Sequence, residues 1–164
     1  MKYGLTRREL EITDRNEILE ILDKCKIVHV AMVDDGMPYL VPLNYGYTME
    51  EDQLTLYMHG SLKGRKIDVL RKNPNVFFEM NCDVMPFEGK TACQYGTMYA
   101  SIMGSGKAEI LEDVEAKKAG LTLFMKSQTG RDFEFTDKMV SAVNVIVIKV
   151  EGFTAKRRPD PMAR

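Results

Sequence analysis

The sequence predicts an α+β fold, a mainly antiparallel sheet of about six strands curled into a Greek-key barrel with peripheral helices. Three observations predict it. Strand-like runs come in hairpin pairs, helical patterns fall between the pairs rather than after every strand, and little chain is left for parallel crossovers. At 164 residues, 45% hydrophobic and 29% charged, the chain suits one domain, with its core over about residues 8–156, that buries enough surface to need no disulfide or metal.

The elements follow in order. Between Asp14 and Cys25 the apolar residues Ile18, Leu22 and Cys25 share one helical face, and Asp14 with Glu17 reads as a capping box. Ile27 to Val33 reads as a buried strand, and Asp35-Gly36 signals a hairpin into a second run, Tyr39 to Tyr47. Pro42 cannot donate to a ladder, so it predicts an edge, a bulge, or backbone turned toward a ligand. Leu54, Leu56 and Met58 alternate with polar residues as a third strand ending at Gly60. Ser61 is the expected cap of a short helix that Asn73-Pro74 stops after Lys72. Val76 to Cys82, Tyr99 to Leu111 and Val143 to Thr154 complete the strands, with a helix capped by Asp113 running to Lys126. Asp83 to Thr97, with Pro86, Gly89 and Gly96, reads as a long loop.

Composition excludes several classes. With 23 basic against 24 acidic residues the chain lacks the basic excess of a nucleic-acid binder. Cys25, Cys82 and Cys93 match neither a zinc site nor a redox pair and are expected to be reduced and mostly buried. The N-terminal residues lack the apolar stretch of a signal peptide, and no apolar run is long enough to span a bilayer. A soluble cytoplasmic protein without membrane or nucleic-acid partners is expected.

Three segments could carry chemistry. From Leu56 to Ile67 a strand ends in His59-Gly60 and a helix begins amid Lys63, Gly64, Arg65 and Lys66. This outlines an anion site: helix-start amides, glycines that let backbone approach, and cations. The same cations would also serve as a solvated helix face. Three residues rather than four separate Gly60 from Gly64, so the segment is not a nucleotide P-loop. His59 could trade protons near neutral pH or merely cap the strand, while His29, within an apolar run, reads as a core histidine. The second segment is Pro38 to Tyr47. In the third, Tyr99 to Glu109, Gly104 and Gly106 interrupt a strand and mark a bulge or a close approach. The residues alone thus define an anion-binding barrel that holds a ligand.

At these segments the chain resembles the flavin-binding split barrels of the pyridoxamine 5'-phosphate oxidase-like superfamily, and within it the Nim-type nitroimidazole-resistance branch. The residues that carry this are Pro38-Tyr39 with Val41 to Tyr47, His59-Gly60 with Lys63 to Lys66, and Ser101 followed by Gly106 to Glu109. The resemblance implies a homodimer holding FMN at its interface. Val41, Pro42, Leu43 and Asn44 would run beside the ring, His59 and Gly60 would lie near it, and Lys63, Gly64, Arg65 and Lys66 would hold the phosphate. Ser101 would reach the flavin from the other subunit. True pyridoxamine phosphate oxidases carry a C-terminal Trp and an Arg-Leu-x-Pro stretch, whereas this chain has no Trp and reads Phe153 to Pro159 there. Vitamin B6 oxidation is therefore not expected.

The reading that results is an FMN-dependent oxidoreductase of the nitroreductase kind, reducing a small, flat, electron-poor acceptor with His59 as the catalytic proton carrier. Tyr45, Tyr47 and Tyr99 are candidates for the substrate-pocket wall, with barrel core or dimer contact as their alternative. A flavin- or tetrapyrrole-binding carrier, store or sensor without turnover is the alternative function. No metal is expected.

Overall fold

Asp14 starts the first helix as the sequence predicts. In the computed structural model, which describes residues 7–159, its carboxylate accepts from the amides of Asn16 and Glu17 at 2.9 and 3.0 Å, opening α1 (Arg15–Lys24). Glu17 turns to Arg157 at 3.9 Å. A short strand, β1 (Glu11–Ile12), precedes the helix. The hairpin signal at Asp35-Gly36, where both residues take positive φ, joins β2 (Ile27–Asp34) to β3 (Met37–Asn44). A second hairpin joins β4 (Gly46–Glu50) to β5 (Gln53–Gly60), and α2 (Arg65–Lys72) follows. Then come the long pair β6 (Asn75–Phe87) and β7 (Gly96–Ile110), α3 (Val114–Thr129), α4 (Asp137–Ser141) and β8 (Asn144–Arg158).

All pairings are antiparallel, in the order β3-β2-β6-β7-β8-β5-β4, with β1 added to β8. The first and last strands of that order are separated in the chain by Tyr45 alone. A single residue spans only about 7 Å between its flanking Cα atoms, so the two ends of the sheet must meet and the sheet must curl. The inner faces of β2, β5, β6, β7 and β8 supply the core, and Ile21, Leu22, Ile67 and Leu70 seal it from α1 and α2. Each such side chain contributes roughly 1.5–3 kcal/mol by leaving water.

The described residues hold eight strands rather than six. β1 is one addition, and the run expected over Tyr39 to Tyr47 divides into β3 and β4 at Tyr45. There the ring turns inward to 1% exposure, and its hydroxyl donates to the Leu22 carbonyl at 2.7 Å. Gly46, next in the chain, lies under α3, where a Cβ would stand 2.5 Å from the Phe124 Cα. The expected loop from Asp83 to Thr97 is partly a ribbon. β6 continues past an irregularity between Cys82 and Met85, reached through Asp83 at φ 55°, and pairs to Phe87 with Gly96. Of the cysteines, all free, Cys25 is buried but Cys93 is exposed.

Tyr45→Phe removes one buried donor and leaves the Leu22 carbonyl short of a partner. It should lower unfolding stability by about 1 kcal/mol in a denaturant titration; an unchanged midpoint and slope would contradict this anchoring role.

Candidate functional site

The basic loop is built around two glycines. Gly64 is the N-cap of α2, at φ +136° where only glycine is at ease, and no side chain caps the helix. This corrects the expectation that Ser61 caps it. The Arg65 and Lys66 amides lie within the first turn, where helix N–H groups lack intrahelical acceptors, so the helix start stays positive. Lys66 folds back over Gly60: a Cβ there would meet its Cε at 2.7 Å and its Nζ at 3.1 Å. Lys63 is exposed, and among the described residues neither Lys63 nor Lys66 has a carboxylate partner.

Arg65 behaves differently from its neighbours. Its Nε donates to Asp34 at 2.8 Å and its guanidinium lies 4.2 Å from the Tyr39 ring centre. One side chain thus fastens the start of α2 to the β2–β3 hairpin. A second fastening went unread in the sequence: Asn144, buried at the start of β8, donates to the Ser61 and Leu62 carbonyls at 3.1 and 3.0 Å. An asparagine heading an apolar strand was its one signal.

Together these contacts set the basic loop beside β3. That strand pairs only with β2, so its other edge keeps unpaired backbone groups, as Pro42 suggested. Val41 and Leu43 pack inward; Pro42 and Asn44 are exposed, and the Asn44 amide donates to the Lys26 carbonyl at 3.1 Å.

His59 sits at the end of β5 with its ring edge-on to Phe124, centroids 4.7 Å apart. Partial burial, then the nearby Lys66 charge, hold its pKa below the ordinary 6.5. Both effects favour the neutral imidazole. His29 is not in the core as expected. It lies on the outer sheet face, its Nδ1 3.4 Å from the Glu79 carboxylate, because the alternation of β2 points Val28 and Val30 inward instead.

The three candidate pocket tyrosines do not meet. Tyr45 is a core residue, which removes it from any pocket wall. Tyr47 lines an open groove between α1 and the end of α3, its hydroxyl donating to Asp23 at 2.7 Å. Tyr99 lies with Ser101 in a hollow of about 330 Å³ on the outer face of β7. Ser101 is 4% exposed and its Oγ has no hydrogen-bond partner among the described residues. No cluster of His, Cys, Asp or Glu able to hold a metal occurs among the described residues.

A free strand edge thus lies beside an uncapped helix start and two lysines without carboxylate partners among the described residues. The family model described as pyridoxamine 5'-phosphate oxidase matches residues 14–157, and the chain belongs to that family. Among solved structures it is similar to a candidate 5-nitroimidazole antibiotic resistance protein from Bacteroides thetaiotaomicron, at 33% identity and TM-score 0.77, covering 90% of this chain and 86% of that one. It shares its fold with a flavocytochrome from Azotobacter vinelandii (21% identity, TM-score 0.78, 97% of this chain and 74% of that one). A FAD and heme binding protein from Mycobacterium smegmatis also shares it (18%, 0.79, 92% and 74%). No curated protein matches the sequence. No helix among the described residues is long and apolar enough to cross a membrane.

Proton titration of His59 by NMR should give a pKa below 6.5, and Lys66→Met should move it part of the way back. An unmoved value would remove the Lys66 contribution. The sign for stability follows. The unfolded chain binds this proton more tightly, so the stabilisation is full above pH 6.5 and is lost as pH falls through the lower folded value.

Proposed function

We propose that the protein binds FMN at the interface of a homodimer and passes electrons to a small, flat, electron-poor acceptor, a nitroaromatic being the model case. The observation that carries this reading is the pairing of an uncapped helix start and two unneutralised lysines with the free edge of β3. A phosphate monoester, with nearly two negative charges, offsets the mutual repulsion of Lys63 and Lys66 and accepts from the first-turn amides. Val41, Pro42, Leu43 and Asn44 offer backbone groups to the ring edge, and Gly60, beside His59, leaves the room in which Lys66 folds over it. Arg65, held by Asp34, keeps the loop in register and can still add charge.

The outer sheet face supports the dimer. Val33, Leu40 and Phe77 are 47%, 57% and 41% exposed on that face, with Leu40 and Phe77 on either side of Ala31. Apolar surface grouped in this way marks a protein contact. A second copy seated there would carry Ser101 toward the flavin, giving its hydroxyl the partner it lacks.

Bound FMN would supply the electron transfer itself. The chain's own part is to bind, orient and manage protons. His59, whose surroundings disfavour the charged form, takes up a proton at an imidazole nitrogen as pH falls and releases it readily to an acceptor gaining electrons.

Two experiments test this. Lys63→Ala with Lys66→Ala should release the flavin while leaving thermal unfolding of the apoprotein nearly unchanged; stoichiometric flavin in the double variant would overturn the phosphate assignment. With a chemical reductant and a nitroimidazole, turnover should rise as pH falls below 7 and drop roughly 10²-fold or more in His59→Ala. Full turnover in that variant removes the proton role, and flavin binding with no turnover in the wild type makes the protein a flavin carrier.

A further inference from the structure

Asn144 does more than fasten the basic loop. Its amide nitrogen carries two hydrogens, and each meets a carbonyl, that of Ser61 at 3.1 Å and that of Leu62 at 3.0 Å. The residue is 7% exposed, so its amide depends on these two acceptors rather than on water.

In a trans peptide the carbonyl of one residue and the N–H of the next point in opposite directions. Two carbonyls drawn to Asn144 therefore turn the Leu62 and Lys63 amides away from it, toward the exposed side of the loop. Among the described residues neither of these amides, nor that of Gly64, has an acceptor. With the first-turn amides of Arg65 and Lys66 they make a run of consecutive free donors, an arrangement suited to an oxyanion.

Register adds a second observation. Asn144 stands opposite Gly60 in the pairing of β5 with β8, and residues so paired share a face of the sheet. Lys66 folds over Gly60 on that face. A neutral amide there leaves the lysine its full charge, which an aspartate of the same shape would neutralise.

We infer that Asn144 is a positioning residue for the anionic tail of the ligand: its two bonds aim the Leu62 and Lys63 amides and so make the site take a phosphorylated flavin in preference to the same ring without phosphate. The inference rests on the reading that a flavin phosphate sits at the start of α2, but on no claim about turnover. Asn144 acts through the loop backbone.

FMN and riboflavin differ only in the phosphate, and quenching of their fluorescence on the full chain freed of ligand gives both affinities. The wild type should prefer FMN by roughly 10²-fold or more. Asn144→Leu, similar in size but without donors, should cut that preference about tenfold by weakening FMN while riboflavin stays within about twofold. Asn144→Asp, which also sets a carboxylate beside Lys66, should cut it further. A merely structural asparagine would lower both affinities together, so an unchanged ratio in both variants overturns the inference. If Lys63→Ala with Lys66→Ala loses the preference while the Asn144 variants keep it, the phosphate reading stands and the inference alone falls. Equal affinity of the wild type for the two flavins overturns both. A measurement on the wild type needs no substitution: exchanging riboflavin for FMN should shift the backbone amide resonances of Leu62 and Lys63 along with those of Arg65 and Lys66. Leu62 and Lys63 amides that stay in place overturn the inference even where the variants fail to fold.

Discussion

A single residue joins the two ends of this sheet. Because Tyr45 alone links β3 to β4, the seven-strand path has to curl until its edges face each other, and the buried Tyr45 hydroxyl on the Leu22 carbonyl fixes that turn to α1. Much else depends on it. The closure brings β3 near β5 without pairing the two, so β3 keeps a free backbone edge beside it. Gly46 lets α3 settle directly on the turn, and Gln128 at the end of that helix donates to the Tyr45 carbonyl at 2.6 Å. The site is therefore a by-product of how the barrel shuts.

The charges divide their labour. Arg65 is spent on Asp34 and Tyr39, a rigid, partly aromatic contact that suits a guanidinium, while Lys63 and Lys66 are left without counter-charges. Keeping two lysines and an uncapped helix start together is electrostatically unfavourable in the empty protein. The proposed phosphate would offset that repulsion. The lowered His59 pKa comes first from desolvation and only second from this arrangement, in which Lys66 lies over Gly60 and its charge penalises a second cation nearby.

Much of the barrel was legible in the sequence because its signals are local. Asp14 caps, Asp35-Gly36 turns and Pro42 on an edge strand each follow from the chemistry of one or two residues. The sites that misled depend on partners distant in the chain. Ser61 has the better capping side chain, but Asn144 takes its carbonyl and the N-cap falls three residues later, at Gly64. His29 sits in an apolar run, yet strand alternation sends it outward to Glu79. Tyr45, Tyr47 and Tyr99 look equivalent as aromatic positions, and only the closure of the sheet separates core, groove and hollow.

The central claim is that closure of the barrel leaves a site for a flat ring with a phosphate tail. Its most direct test is the absorption spectrum of the purified protein, with the chromophore released by denaturation and identified by chromatography. The account predicts a yellow protein that releases FMN at one equivalent per chain. A colourless protein that also fails to take up added FMN would contradict it.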